Sequence, residues 1–468
     1  MQRRAIIVVV CWSVLAAGLA APAAAQSAAP SPTFTKDIAP VLYRACVSCH
    51  RPSGIAPMAL VTYQDARPWA RAIKQQVAAR QMPPWGADPQ HGRFKNDRSL
   101  SEAEIRTITA WADQGAPKGH DADLPAPPLF AEHWTNGEPD IVIDMPVQFE
   151  VPAEGQVDVT DFYVKAPFTE DVFVRALEIR PGAAQSVHHA GVYVVDKIPE
   201  GASLVNGRII SAAGKPMSRR DIATANGRQS GRGENDKLLS FVPGRGYEEY
   251  GLGAGQRIKA GSYINFYMHY QPTGVAVKDR TRIGLYLAKR GQDVTHQIYH
   301  GLEAAGPTTY IVDGKELGKL NSDDELPPIP PYVDDWKVVS VHAISEPITL
   351  HGLTPHLHLR GKSMKYTLIW PDGREEVLLN VPRYDFNWQV YYELESPKRI
   401  PTGSKVIVTT LFDNSPKNRY NPAPQNTVYW SDQSWDEMYA PQVRITLDDR
   451  DLRRNSDSTP ANRQRQQR

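Results

Sequence analysis

The 468-residue chain has little cysteine: Cys11, Cys46 and Cys49 are all it holds. So few thiols exclude a disulfide framework, and stability must come from buried cores. An excess of one charge is also missing. The 53 basic and 52 acidic residues leave a net charge of +1, which gives nucleic acid no electrostatic footprint. Long apolar runs are scarce too, since the only extended one, Ala5 to Leu19, is short for a stable membrane span. Proline, by contrast, is abundant. Its 39 residues exceed the usual share of about 5%, favouring a loop-rich, largely β interior. The length allows roughly three domains at about 150 residues each.

The apolar run follows Arg3 and Arg4 and ends before Ala23-Ala24-Ala25, the pattern of a secretory signal peptide over 1–25. Cleavage near Ala25 removes Cys11 and leaves 51 basic against 52 acidic residues. The mature chain is then periplasmic or secreted, nearly neutral, and without an integral membrane span.

Cys46-Val47-Ser48-Cys49-His50 is the attachment pattern of c-type haem. Two thiols three residues apart add to the vinyl groups, and the adjacent imidazole binds iron. A thioredoxin-like dithiol lacks its surrounding βαβ pattern, and a zinc site lacks a second cysteine pair. With both thiols on one haem c, none remains for a blue-copper site, an iron–sulfur cluster or a thiol nucleophile.

The flanks of the motif are helical in pattern. Phe34 to Ala45 spaces Ile38, Val41 and Leu42 on one face, while Ser101-Glu102-Ala103-Glu104 opens a second helix that carries Ile105, Ile108 and Trp111 and stops at Gly115. Residues 33–119 therefore resemble an all-α class I cytochrome c domain. Met82, on the loop Gln81-Met82-Pro83-Pro84-Trp85, stands where that family places its axial methionine; Met58, His91 and an open site are the alternatives. A thioether ligand would raise the haem potential and suit electron transfer. Residues 120–134, with Pro125, Pro127 and Pro128, read as a linker.

From about residue 135 the chain turns to short β-rich runs such as 172–177, 191–195 and 404–411, separated by turn residues. The Pro-rich run Leu326 to Tyr332 divides this region into two expected β-sandwiches, 135–325 and 333–450. An Asn/Gln/Ser-rich tail over 451–468 is expected to be disordered.

Histidines make these strands chemical. His356-Leu357-His358 places two imidazoles on one face of a strand, with Leu357 and Leu359 on the other. His188 and His189 are adjacent and diverge on a regular strand, so they can share an ion only where the strand twists strongly or begins. His269 lies in Tyr267-Met268-His269-Tyr270 and could close a three-histidine set. Met438 sits in Trp435-Asp436-Glu437-Met438-Tyr439, beside two carboxylates. His296, His300, His342 and His351 read as structural or supporting residues.

The order His-His, His-Tyr, His-x-His, Asp-Glu-Met resembles the ascorbate-dependent copper monooxygenases, which include peptidylglycine alpha-hydroxylating monooxygenase and dopamine beta-monooxygenase. The resemblance implies two jelly-roll-like sandwiches and two copper ions. His188, His189 and His269 would hold an electron-transfer copper, and His356, His358 and Met438 a dioxygen-binding, catalytic copper. Adding a thioether to imidazoles suits soft Cu(I), whereas zinc prefers carboxylate or thiolate and passes no electrons. The implied activity is hydroxylation of a C–H bond in a small organic substrate; the fused cytochrome, a departure from the family, suggests that haem supplied by a periplasmic donor, rather than free ascorbate, passes electrons to the three-histidine copper. A non-enzymatic haem and copper protein is the alternative.

Two further departures bear on this. The animal enzymes are disulfide-rich and this chain is not. Positions that hold the substrate carboxylate in the amidating branch are Thr354, Ala440 and Gln442 here, so a peptide C-terminus is not the expected substrate.

Overall fold

The computed structural model describes residues 31–52, 54–130, 134–227, 237–242, 245–251, 253–320 and 325–453. The expected signal peptide with Cys11, and the tail from 454 onward, lie outside the described residues. Strand outweighs helix, 37% to 13%, so the chain is mostly β with few helices. No helix among the described residues is long and apolar enough to cross a membrane.

The helices concentrate before residue 114. Glu102–Asp113 begins where the sequence predicts, because Ser101 and Glu104 form a reciprocal capping box that satisfies two otherwise unpaired N–H groups. Its buried Ile108 and Trp111 pack with Phe34, Ile38 and Leu42 of the first helical segment. That segment is a π-turn over Phe34–Ile38 running into an α-helix over Ala39–Ala45, with Pro40 in the first α-turn, where its missing N–H is tolerated. Ala70–Ala78 supplies Ile73 and Val77 to the same core.

Beyond residue 140, Thr160–Lys165, Tyr263–Tyr270, Val187–Val195 and Lys237–Phe241 form a four-stranded antiparallel sheet. One core cluster draws Phe162, Val192 and Phe266 from it and Leu177, Ile179 and Leu285 from a larger sheet. That larger sheet has nine strands and does not stop with the first half of the chain. Gly253–Ile258 pairs in parallel with Val294–Tyr299, which pairs with Ala440–Leu447, then Ile348–His356 and finally Tyr392–Ile400. Its second half packs on a six-stranded sheet through Leu350, Leu353 and Ile445 against Tyr310, Tyr366, Val408 and Phe412.

The expected division at the Pro-rich run is corrected by these pairings. Thr308–Val312 and Lys315–Gly318, upstream of that run, belong to the six-stranded sheet through Trp336–Ala343. The change of layer therefore falls between residues 299 and 308. Proline there marks a loop within the second half, tied down by the Ile329–Val428 bridge.

A buried ion cluster locks the halves together. Arg444 on Ala440–Leu447 reaches Glu248 on Tyr247–Glu249, and Arg245 joins Glu248 at 3.0 Å. Burial pushes the Glu248 carboxyl up, but Arg245 and Arg444 hold it below its usual value. Removing one member of a buried pair strands the other charge, so Glu248→Gln is expected to cost about 3–5 kcal/mol in denaturant unfolding. A depressed acid contributes stability above its unfolded pKa and loses it as pH falls through the folded value. The difference between wild type and variant should accordingly shrink below about pH 4.

Candidate metal centre

The strand Val187–Val195 pairs antiparallel with Tyr263–Tyr270 so that His269 faces His189, while the next partners are Tyr270 and Val187. His188 is skipped. This β-bulge resolves the divergence of adjacent side chains, because an extra residue bends the strand and re-aims its neighbours. His188 Nδ1 lies 3.2 Å from His189 Nδ1, and His189 Nδ1 lies 3.3 Å from His269 Nδ1. The ligand atoms of the three fall within 4.8 Å of one another, the one such histidine, cysteine or carboxylate group of three among the described residues. Burial lowers all three imidazoles: His188 to about 4, His269 to about 3, and His189 well below its ordinary value. Neutral imidazole is the form that binds a metal.

His356 ends the strand Ile348–His356, and His358 lies just beyond it, which corrects the expectation of one regular strand for both. Tyr384 holds the turn, donating to Leu357 O at 2.7 Å and accepting from Leu357 N–H at 3.1 Å. Leu357 is buried as the alternation requires. The two imidazoles stay close, with ring centroids 5.4 Å apart. His356 Nδ1 meets Gln389 Oε1 at 2.7 Å; an amide oxygen only accepts, so the proton sits on Nδ1 and Nε2 is left for a ligand. His358 Nδ1 is buried with no hydrogen-bond partner among the described residues, as suits a nitrogen reserved for a metal. Burial lowers His356 to about 4 and, with the neighbouring imidazoles, holds His358 well below its ordinary value.

Met438 and His356 line one cavity of about 220 Å³ with His189, Tyr193, Tyr267 and Gln389. The two histidine sets thus face each other, His189 and His356 having centroids 6.1 Å apart. Phe386 packs against His188, His269 and His358 at 5.2, 6.4 and 6.0 Å.

Sequence reasoning gave Glu437 no role, although its place beside Met438 stood out. Its fully buried carboxylate accepts the backbone N–H groups of Arg360 and Met438, each at 2.9 Å, and that of His358. One side chain therefore ties the His-x-His turn to the methionine segment. Burial raises it to about 7, against the pull of those three donors. Gln389 was missed as well, and nothing local to its sequence signals it.

In the helical region Cys46 follows the helix Ala39–Ala45, and the amides of Cys49 and His50 both bond back to Cys46 O at 3.1 and 3.0 Å. Both thiols are free. His50 Nδ1 donates to Met58 O at 3.1 Å, leaving Nε2 directed elsewhere. Burial pushes the Cys46 thiol up to about 12. Met82 sits on the loop after Ala70–Ala78, its N–H bonded to Gln76 O at 3.3 Å; among the described residues no hydrogen bond joins it to His50. His91 pairs with Asp88 at 4.0 Å.

No protein-family model matches this chain, and no curated protein matches it. Among solved structures it is similar to PNGF-II in space group P21, at 9% identity over 65% of each chain with a TM-score of 0.24. Another is the N-terminal CBM22-1-CBM22-2 tandem domain of Paenibacillus barcinonensis Xyn10C, at 9% identity over 61% of this chain and 82% of that one, with a TM-score of 0.16. Likeness this weak carries no argument about either fold or function.

Proposed function

We propose that the chain is an exported, haem-linked copper monooxygenase, built from a cytochrome c-like helical domain and two β-sandwiches. The observation that carries the reading is the meeting of two donor sets of different composition, His189 of the triad lining one cavity with His356 and Met438 of the other set. His188, His189 and His269 would hold one copper; His356, His358 and Met438 would hold the other. Two imidazoles and a thioether would favour Cu(I), and a copper ion held there would supply the oxidising power to hydroxylate a C–H bond. A haem held by Cys46, Cys49, His50 and Met82 would supply one-electron storage.

The chain's own residues prepare that chemistry. Gln389 fixes the tautomer of His356, and Glu437 sets the His358 turn against Met438. Phe386 packs on three imidazoles and keeps water from them. A cavity of about 220 Å³ with Tyr193 and Tyr267 in its wall suits a small organic molecule. Thr354, Ala440 and Gln442 line it without the arginine and tyrosine that clamp a peptide carboxylate in the amidating branch.

Incubating copper-loaded, haem-reduced protein with labelled dioxygen and extracts of its native host is expected to give a product carrying one labelled oxygen atom. Haem reoxidation and copper redox cycling with no labelled product would instead identify an electron relay or a copper-binding protein.

A further inference from the structure

Two guanidinium groups share one buried carboxylate. Glu248 meets Arg245 through Oε2 at 3.0 Å and Arg444 through Oε1, and the Glu248 and Arg444 side chains are only 5% and 4% exposed. Both carboxylate oxygens are therefore taken, and one negative charge faces two positive ones. Glu393 also acts on Arg444, but its carboxylate pairs with Lys95 at 3.2 Å. The Tyr391 ring packs on both guanidiniums, its centroid 3.8 Å from Arg245 Cζ and 4.8 Å from Arg444 Cζ. The negative face of the ring meets part of the surplus charge and none of the donors at the guanidinium edges.

Arg245, Arg444 and Tyr391 line a cavity of about 30 Å³ with His300, Lys237 and Gln442. This chamber adjoins the larger cavity, because His300, Lys237, Gln442 and Gln389 belong to the walls of both. Three polar atoms of its wall residues are buried and, among the described residues, lack a hydrogen-bond partner: Arg444 Nε, the Tyr391 hydroxyl and His300 Nε2. The first only donates, the second donates readily, and a neutral imidazole donates from Nε2 in one of its tautomers. Burial lowers His300 to about 3, and Lys237, Arg444 and Arg245 push the same way against Glu248, so the field there is positive. Lys237 Nζ donates to Gln442 Oε1. Gly352 leaves room for the Tyr391 hydroxyl, with which any Cβ at that position would collide. Buried donors without acceptors are costly, and so is buried charge without its counter-charge.

We propose that this side chamber binds one small monovalent anion, a halide or a carboxylate group, held by Arg444, Tyr391 and His300 and by the charge of Arg245. The anion balances the second guanidinium and accepts from the three orphaned donors. None of these residues belongs to either histidine set, so the proposal stands apart from the haem and copper reading. Two sources supply such a group. One is a free ion; the other is the acid group of an organic molecule whose body occupies the larger cavity beside His356 and Met438.

The chlorine-35 linewidth of sodium chloride, measured over the full chain with its metals in place and again after chelation, tests the site. Saturable broadening that formate displaces and that survives chelation is expected. Tyr391→Phe keeps the ring and removes one donor, and should weaken chloride binding about tenfold. In chloride-free buffer the same variant should unfold no earlier than wild type, since the hydroxyl it loses is unpaired there; a purely structural role predicts earlier unfolding. Arg245→Met leaves Glu248 and Arg444 as a balanced pair and should abolish saturable binding, with circular dichroism reporting that the fold persists. Hexanoate displacing chloride at lower concentration than formate would identify the acid group of a larger molecule as the occupant, and formate at least as effective as hexanoate would identify a free ion. No saturable broadening, broadening that chelation removes, or unchanged affinity in either variant would overturn the proposal.

Discussion

Replacing His356 and His358 together by alanine is expected to reduce copper from two ions per chain to about one and to bring oxygenation to background, while the haem spectrum persists. The expectation follows from how separately the two donor sets are built. The triad is held by the pairing of Val187–Val195 with Tyr263–Tyr270, with a bulge at His188, and neither strand includes His356 or His358. Those two occupy a strand end and turn fixed by Tyr384, Gln389 and Glu437. Truncating both imidazoles removes two of three donors and leaves Met438, whose thioether alone does not retain the metal. Met438→Ala should be more selective, sparing copper in part and abolishing turnover. Copper quantification with circular dichroism separates loss of the site from loss of the fold.

Glu437→Ala is expected to weaken copper binding at the Met438 site by about 10–100-fold, the usual cost of removing a group that orients a ligand. The carboxylate satisfies three buried backbone donors, on His358, Arg360 and Met438. Alanine strands all three, and each orphaned donor costs about 1–3 kcal/mol, so stability should fall as well. A carboxylate accepts through two oxygens and an amide through one, so Glu437→Gln should recover part of the loss. A positioning role predicts that copper affinity at the triad stays at the wild-type value in both variants. Equal weakening of both sites would make Glu437 a general stabiliser of the fold.

Local features of this molecule were legible in its sequence. Ser101 and Glu104 announced a capped helix, and the runs at 172–177, 191–195 and 404–411 fall almost wholly within the observed strands Val172–Arg180, Val187–Val195 and Lys405–Phe412. The three-histidine set was legible as a possibility, since the His188-His189 pair required an irregular strand. The irregularity itself was not, because a bulge is defined by the register of the partner strand, eighty residues away at His269. The same holds for Gln389 and Glu437. A glutamine in a loop and a glutamate beside a methionine are ordinary until the fold aims them at His356 and at the His358 turn. The Pro-rich run at 326–332 misled for a related reason: proline reports local chain stiffness, while sheet membership is decided by pairing with Trp336–Ala343. The segment over 84–98 has no periodic pattern at all. Its structure is borrowed from the edge of Tyr392–Ile400.

The central claim is that one chain carries two unlike copper sites beside a covalent haem. Metal analysis of protein purified from its native compartment, joined to X-ray absorption at the copper edge of the reduced form, tests it most directly. The account predicts one iron and two copper per chain, with a sulfur neighbour on copper that disappears in Met438→Ala while nitrogen neighbours remain. Zinc in place of copper, a single copper per chain, or a sulfur neighbour that survives Met438→Ala would contradict it.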